Sequence, residues 1–198
     1  MAAKRGWGNG QPPKRQQLRI IAGDWRGRNI DIGRQEAIRP TPNRVRETLF
    51  NWLGPGIQRA RCLDLFAGTG ALGIEALSRG AAHCDFIEQD AGTARLLSEQ
   101  LQALGGGLRA RVVAGDALAS PAPATPYDVV FIDPPFAARL AADAMHRLAQ
   151  PGWLAADADI YVETAADDPT LDQLPAGFEC WRDKRAGDVR FGLVSYRP

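Results

Sequence analysis

CLDLFAGTGALGIEALSRG, residues 62–80, passes from an apolar run through three glycines into a helical pattern that a fourth glycine ends. CLDLF (62–66) reads as a strand buried on both faces, and ALGIEALSRG (71–80) reads as a helix. Between them Gly68, Gly70 and Gly73 make a G-x-G-x-x-G match in the strand–loop–helix setting where backbone can approach a ligand closely. Glu88 lies 20 positions past Gly68, at the end of the next apolar run, HCDFIE (83–88). A carboxylate there can accept hydrogen bonds from both ribose hydroxyls. By itself this pattern fits an NAD site as well as an S-adenosylmethionine site.

Strand and helix patterns continue to alternate downstream. A helix is expected over 91–104 and a strand at ARVVA (110–114). YDVVFID (127–133) follows a proline-containing loop, then a helix at about 138–149 and a strand at DIYVET (159–164). Two closing strands near 177–184 and 189–196, joined at Ala186-Gly187-Asp188, suit an antiparallel edge hairpin. The fold class is therefore α/β, with a mostly parallel sheet covered on both faces. Upstream, LRIIAG (18–23) and RGRNIDI (26–32) read as a hairpin turning at Asp24-Trp25, and a helix is expected from Asn43 to about Leu53. Residues 1–17 are Gly/Pro/Gln/Lys/Arg-rich and read as a disordered basic arm. The expected organisation is an arm (1–17), a hairpin-and-helix extension (18–60) and a cofactor-binding domain (61–198).

The 198 residues carry 24 Lys+Arg and 23 Asp+Glu, a net charge of +1. That balance conceals a split: residues 1–61 hold 13 basic and 4 acidic side chains, net +9, and the remainder is net −8. Such asymmetry suggests a polyanion partner for the basic part. No apolar run approaches the roughly 18 residues of a membrane span, and the N-terminus lacks the apolar centre of a signal peptide. Cys62, Cys84 and Cys180 form neither a disulfide framework nor a zinc pattern, so the expected compartment is a reducing cytoplasm. No metal is expected, and His83 and His146 read as surface or structural residues.

Two acidic positions favour S-adenosylmethionine over a dinucleotide. Asp64 lies inside the first strand, where it can meet the cofactor's amino group and would repel a pyrophosphate. Asp116, in Gly115-Asp116-Ala117, can accept from an adenine amino group while the Ala117 N–H donates to a ring nitrogen. Asp64, Phe66, Gly68, Gly70, Glu88, Asp116 and Ala117 are the candidate cofactor residues. The most specific signal is Asp133-Pro134-Pro135-Phe136 at the end of an apolar strand. Prolines lack N–H donors and fix the backbone, so an acidic oxygen and the Pro134 carbonyl can hold both hydrogens of an exocyclic amino group. Phe136 offers a ring for the base to stack on. Asp133, Pro134 and Phe136 are the candidate catalytic residues.

With these motifs the chain resembles the RsmD family, bacterial 16S rRNA guanine-N2 methyltransferases. The resemblance rests on LRIIAGDWRGR (18–28), RPT (39–41), RVRETLFNWL (44–53), residues 62–81, FIEQD (86–90), DPPF (133–136) and GWLAADADIYVE (152–163). It implies a class I, Rossmann-like S-adenosylmethionine-dependent methyltransferase fold with strand order 3-2-1-4-5-7-6 and the N-terminal hairpin near the substrate side. It also implies a guanine of 16S rRNA within the assembled 30S subunit as target, and residues 39–46 on the RNA side. Arg19, Arg26, Arg28, Arg39, Thr41, Arg44 and Arg46 are the candidate RNA contacts, and a monomer is expected. Competing readings are an adenine-N6 methyltransferase, a protein-glutamine methyltransferase, an NAD-dependent oxidoreductase, and an RNA-binding assembly factor with an inactive cofactor fold.

Overall fold

The apolar runs become neighbours in one sheet. The computed structural model describes residues 17–31 and 42–198. Of the expected arm only Gln17 is described, and Arg39 and Thr41 lie outside the described residues. The elements are β1 (Gln17–Arg19), β2 (Asn29–Asp31), α1 (Asn43–Leu53), β3 (Arg61–Asp64), α2 (Ala71–Ser78), β4 (His83–Glu88) and α3 (Ala91–Leu104). They continue with β5 (Ala110–Ala114), β6 (Tyr127–Ile132), α4 (Ala141–Leu148), β7 (Leu154–Ala165), β8 (Phe178–Ala186) and β9 (Val189–Tyr196). The main sheet has the order β5-β4-β3-β6-β7-β9-β8, and β9 alone runs against the rest. Counted within the sheet this is 3-2-1-4-5-7-6, as expected.

Most boundaries in the sheet domain follow the sequence closely, but the hairpin strands pair only over Gln17–Arg19 and Asn29–Asp31, shorter than the expected 18–23 and 26–32. The expected helix at 138–149 begins later, at Ala141, because Phe136–Ala138 forms a tight 3-10 turn that Arg139 leaves with φ +48°. Strand β7 begins at Leu154, earlier than expected, through a register shift opposite Tyr127 and Val129 and a positive φ at Asp157. At the edge, β8 is almost wholly exposed and carries a second irregularity between Cys180 and Arg182.

Alternate residues of each strand face opposite sides, and each side has its own core. Cys62, Phe86, Phe131, Tyr161 and Phe191 face α1, α2, α3 and the hairpin. Leu63, Leu65, Val130, Ile132, Ile160 and Val162 face Met145 and Leu148 of α4 and Trp153. Burying each such large side chain contributes roughly 1.5–3 kcal/mol.

The N-terminal extension is tied to the first core by one buried acid, Glu75 of α2. Its oxygens accept from the N–H groups of Ile21 (2.9 Å) and Ala22 (3.0 Å). Two arginines balance its charge: Arg79 at 2.8 Å and Arg46 at 3.7 Å. Arg46 has no exposed surface, and its Nη2 donates to the Arg19 carbonyl (2.9 Å) and to Asn43 Oδ1 (2.8 Å). This corrects the reading of Arg46 as an RNA contact: it is an internal cation joining α1, α2 and the hairpin. Burial draws its guanidinium below the usual value, against the pull of Glu75.

The same contacts set directions. Arg46 meets Glu75 and the Arg79 guanidinium lies over Phe50, so α1 runs alongside α2 in the same sense. Its N-terminus, with exposed Arg44, therefore lies at the glycine-loop end of the molecule. The hairpin turn points the other way. Asp24 donates its N–H to the Ser78 carbonyl at the end of α2, and Arg28 donates to the Leu104 (3.2 Å) and Ala103 (2.7 Å) carbonyls at the end of α3. The tip with Arg26 and Arg28 is thus at the edge remote from the glycine loop, which corrects the expectation that the hairpin as a whole lies near the substrate. Arg28 caps helix-terminal carbonyls that have no partner within the helix.

Glu75→Ala leaves Arg46 buried without its counterion and two amides without acceptors. It is expected to lower the unfolding free energy by about 3–5 kcal/mol in urea titrations, with Glu75→Gln intermediate.

Candidate active site

Parallel strands deliver their C-terminal ends to one edge, and the candidate residues collect there. Asp64 pairs in register with Phe86 of β4 and Phe131 of β6. It is 2% exposed, and its Oδ2 accepts the Gly73 N–H at 2.9 Å, inside the first turn of α2. Burial pushes its carboxyl up to about 8; the Gly73 bond opposes this, and the charges of Asp133 and Glu88 add to it. Asp64 therefore holds the loop from below. Gly73 permits the contact, because a Cβ there would lie 2.3 Å from Phe86 Cε1. Gly70 has φ +77° and approaches Leu97 so closely that a Cβ would sit 2.4 Å from its Cδ1.

Glu88 is fixed by two backbone amides. Its Oε2 accepts from Gly68 (2.7 Å) and its Oε1 from Asp90 (2.8 Å). Each oxygen keeps a further lone pair for a hydroxyl donor. The next loop is joined to the same strand end, since Gly115 donates its N–H to the Glu88 carbonyl at 2.9 Å. There Asp116 is exposed and accepts the Leu118 N–H at 2.9 Å, while Ala117 is buried. Phe66 is half-buried against the second core. Asp64, Gly68, Gly70, Glu88, Asp116 and Ala117 thus come from one strand-end edge.

Asp133 and Pro134 directly follow β6. Asp133 is half-buried, Pro134 buried, and Phe136 is 37% exposed at the start of its 3-10 turn. Asp133 and Asp64 lie close enough for the charge of the former to raise the latter. Among the candidate RNA residues, Arg19, Arg26, Arg28 and Arg44 are exposed, and only Arg44 is at the N-terminus of a helix directed to this edge.

One residue was missed: Glu163 of β7, which is 3% exposed and accepts the Tyr161 hydroxyl at 2.6 Å. Burial and then the charge of Asp133 push its carboxyl up to about 8, while the Tyr161 bond pulls it down. The signal in the sequence was an acid inside the apolar run IYVET, the same signal that marks Asp64 in CLDLF.

The edge is built of carboxylates and backbone. Among the described residues no group of three or more His, Cys, Asp or Glu is arranged to hold a metal, and no helix is long and apolar enough to cross a membrane. The first turn of α2 already has an internal carboxylate, Asp64, on the Gly73 amide. A helix N-terminus normally welcomes a phosphate, but here a pyrophosphate would meet the carboxylates of Glu88 and Asp133 at the same strand-end edge. A cationic ligand with a ribose and an adenine suits the donor set: acids for the positive groups, Glu88 for hydroxyls, and Asp116 for an amino group. Open space above Gly68, where a Cβ would meet no atom within 4 Å, leaves the loop backbone accessible.

Comparison with known proteins agrees with this geometry. The family described as conserved hypothetical protein 95 matches residues 18–195. Ribosomal RNA small subunit methyltransferase D of Escherichia coli K12 is 47% identical over 178 residues, covering 89% of each chain. The protein of the same name from Haemophilus influenzae is 43% identical over 190 residues, covering 94% of this chain and 95% of that one. Among solved structures, the putative methyltransferase yhhF of Escherichia coli superposes with a TM-score of 0.83 at 44% identity, over 92% of this chain and 99% of that one. A family match over residues 18–195, with relatives 47% and 43% identical across about nine-tenths of the chain, means that the chain belongs to the RsmD family of Rossmann-like methyltransferases.

Proposed function

We propose that this protein transfers a methyl group from S-adenosylmethionine to the exocyclic N2 of a guanine in 16S rRNA, acting on the assembled 30S subunit. The observation that carries the reading is the placement of Asp133-Pro134-Pro135-Phe136 at the same strand-end edge as Asp64, Gly68, Glu88 and Asp116. The names of the relatives support rRNA of the small subunit as the substrate class. S-adenosylmethionine supplies an electrophilic methyl group when bound.

The chain's own residues would do the rest. Glu88 would hold the ribose hydroxyls, and Asp116 with the Ala117 N–H the adenine edge. Asp133 and the Pro134 carbonyl would accept both hydrogens of the base amino group. That arrangement directs the nitrogen lone pair away from the ring plane and toward the methyl donor. Holding the reactants in line can contribute up to roughly 7–11 kcal/mol of the barrier. The nitrogen becomes more acidic as its new bond forms, so Asp133 can take the proton late or pass it to water. Phe136 would stack on the flipped base, worth about 1–3 kcal/mol. Arg44, at the N-terminus of α1, would meet RNA phosphates at this edge, and Arg39 and Thr41 are proposed as further RNA contacts.

Incubating the protein with labelled S-adenosylmethionine and, in parallel, 30S particles, free 16S rRNA and DNA should label the particle, and digestion should give N2-methylguanosine. Label in N6-methyladenosine or only in DNA would overturn the assignment. Asp133→Ala should abolish transfer and leave particle binding within about threefold, as a filter-binding assay would report.

Two further outcomes follow from the charges. Asp64 is protonated below about 8, and a cationic ligand favours its carboxylate form. Calorimetric affinity for S-adenosylmethionine should therefore rise from pH 6 to pH 8, by at most about tenfold per unit, and level off above; Asp64→Asn should flatten the rise. Arg44→Glu should weaken particle binding and reduce the slope of log affinity against log salt by about one. An unchanged slope would return Arg44 to the solvated surface.

A further inference from the structure

Glu163 belongs to the strand next to Asp133. The parallel pairing of β6 and β7 sets Ile132 opposite Val162, so one residue further along, Asp133 and Glu163 are neighbours across the strands. Their side chains share a face, because Phe131 and Tyr161, two residues earlier, both lie in the first core. A nearly inaccessible acid is thus set beside the carboxylate that the proposed reaction needs.

Its surroundings select its protonation state. The Tyr161 hydroxyl, itself in a side chain without exposed surface, donates to Oε2. On the other flank β9 contributes Phe191, opposite Glu163 in register. The helix packed on this face brings the rings of Phe50 and Trp52, which contact Phe131 and Phe191. The cations on the neighbouring elements have other partners: Arg46 and Arg79 pair with Glu75, Arg79 also lies over Phe50, Arg190 pairs with Asp172 and Asp183, and Lys184 lies over Trp52. The titratable groups bearing on Glu163 are therefore Asp133 and Tyr161, and the carboxyl is pushed up to about 8 by burial and by Asp133. Two adjacent carboxylates in a site of low polarity cannot both ionise easily, and one keeps a proton.

We propose that Glu163 is the positioning residue for Asp133: as a carboxylic acid it accepts from Tyr161 on Oε2 and donates from Oε1 to Asp133, fixing the direction in which Asp133 meets the base amino group. The inference rests on the role given to Asp133 above. Oriented in this way, Asp133 presents a fixed acceptor beside the rigid Pro134 carbonyl. The Glu163 proton stays on Glu163 through the reaction, and the proton released from the base goes to Asp133 or to water.

The test compares Glu163→Gln, whose amide keeps a donor toward Asp133 and an acceptor toward Tyr161, with Glu163→Ala. In the wild type kcat should fall as pH rises through about 8, where Glu163 loses its proton. Glu163→Gln should keep kcat within about fivefold and lack that alkaline fall. Glu163→Ala should lose about 100-fold in kcat at every pH, with KM for the particle nearly unchanged, the loss expected of a misplaced reacting group. Full activity in Glu163→Ala, or the same alkaline fall in Glu163→Gln, would overturn the proposal. A second measurement does not depend on methyl transfer. With ¹³C-carboxyl glutamate, Glu163 should titrate near 8, and Asp133→Asn should bring it down. A Glu163 that titrates in the ordinary carboxylate range, or ignores that substitution, would overturn the pairing. If the label never reached guanine N2 while the titration behaved as expected, the substrate assignment would fail and the pairing would stand.

Discussion

The hydrogen bond from the Gly73 amide to the Asp64 carboxylate, 2.9 Å long and shielded from water, is the point from which the cofactor edge is set. It joins the end of the central strand to the first turn of the helix that follows, so the glycines between them have little freedom left. Gly73 must be a glycine because Phe86 occupies the space its side chain would fill. The turn at Gly70 then packs on Leu97 of α3, and Glu88 takes the Gly68 amide. Three consecutive elements are thereby referenced to one strand end, and the adjoining loops inherit that reference through the bond from Gly115 to the Glu88 carbonyl.

The opposite end of α2 has a different task. Glu75, itself fully buried, collects two amides and two arginines, and through them the hairpin and α1 become part of the same core as the sheet. An ion pair at this depth is worth little compared with an apolar replacement of equal volume, but removing one partner is expensive. Its contribution is geometric: it sets α1 beside α2 with the same polarity, which brings Arg44 to the strand-end edge.

The sheet was legible from sequence because its inner strands are nearly unbroken apolar runs and several helix ends are marked by glycine or a capping acid, as Gly54 ends α1, Gly105 ends α3 and Asp90 caps α3 through the Thr93 amide. The glycine loop and the Asp-Pro-Pro-Phe turn were legible because they depart from that pattern at fixed places. Charge alone was a poorer guide. Arg44 and Arg46 differ by two positions and look alike in a list of basic residues, yet one is exposed and the other has no accessible surface. Val45, Leu49, Phe50 and Leu53 recur at helical spacing and are buried, and Arg46 lies one turn before Phe50 on that same side. The partner that makes this tolerable, Glu75, is 29 residues away and cannot be paired with Arg46 by inspection. Glu163 escaped notice for the same reason: an acid in an apolar strand is visible, but its neighbour across the sheet is set by strand order.

The outer strand β8 closes the sheet on one side with a row of side chains that includes Arg182, Asp183, Lys184 and Arg185, almost all of it exposed, and its register slips between Cys180 and Arg182. An open strand edge is a template on which another chain can assemble. Here an approaching strand would have to strip water from a dense run of charges and match an irregular spacing of amides. The sheet can therefore remain unsealed at that border without recruiting further strands.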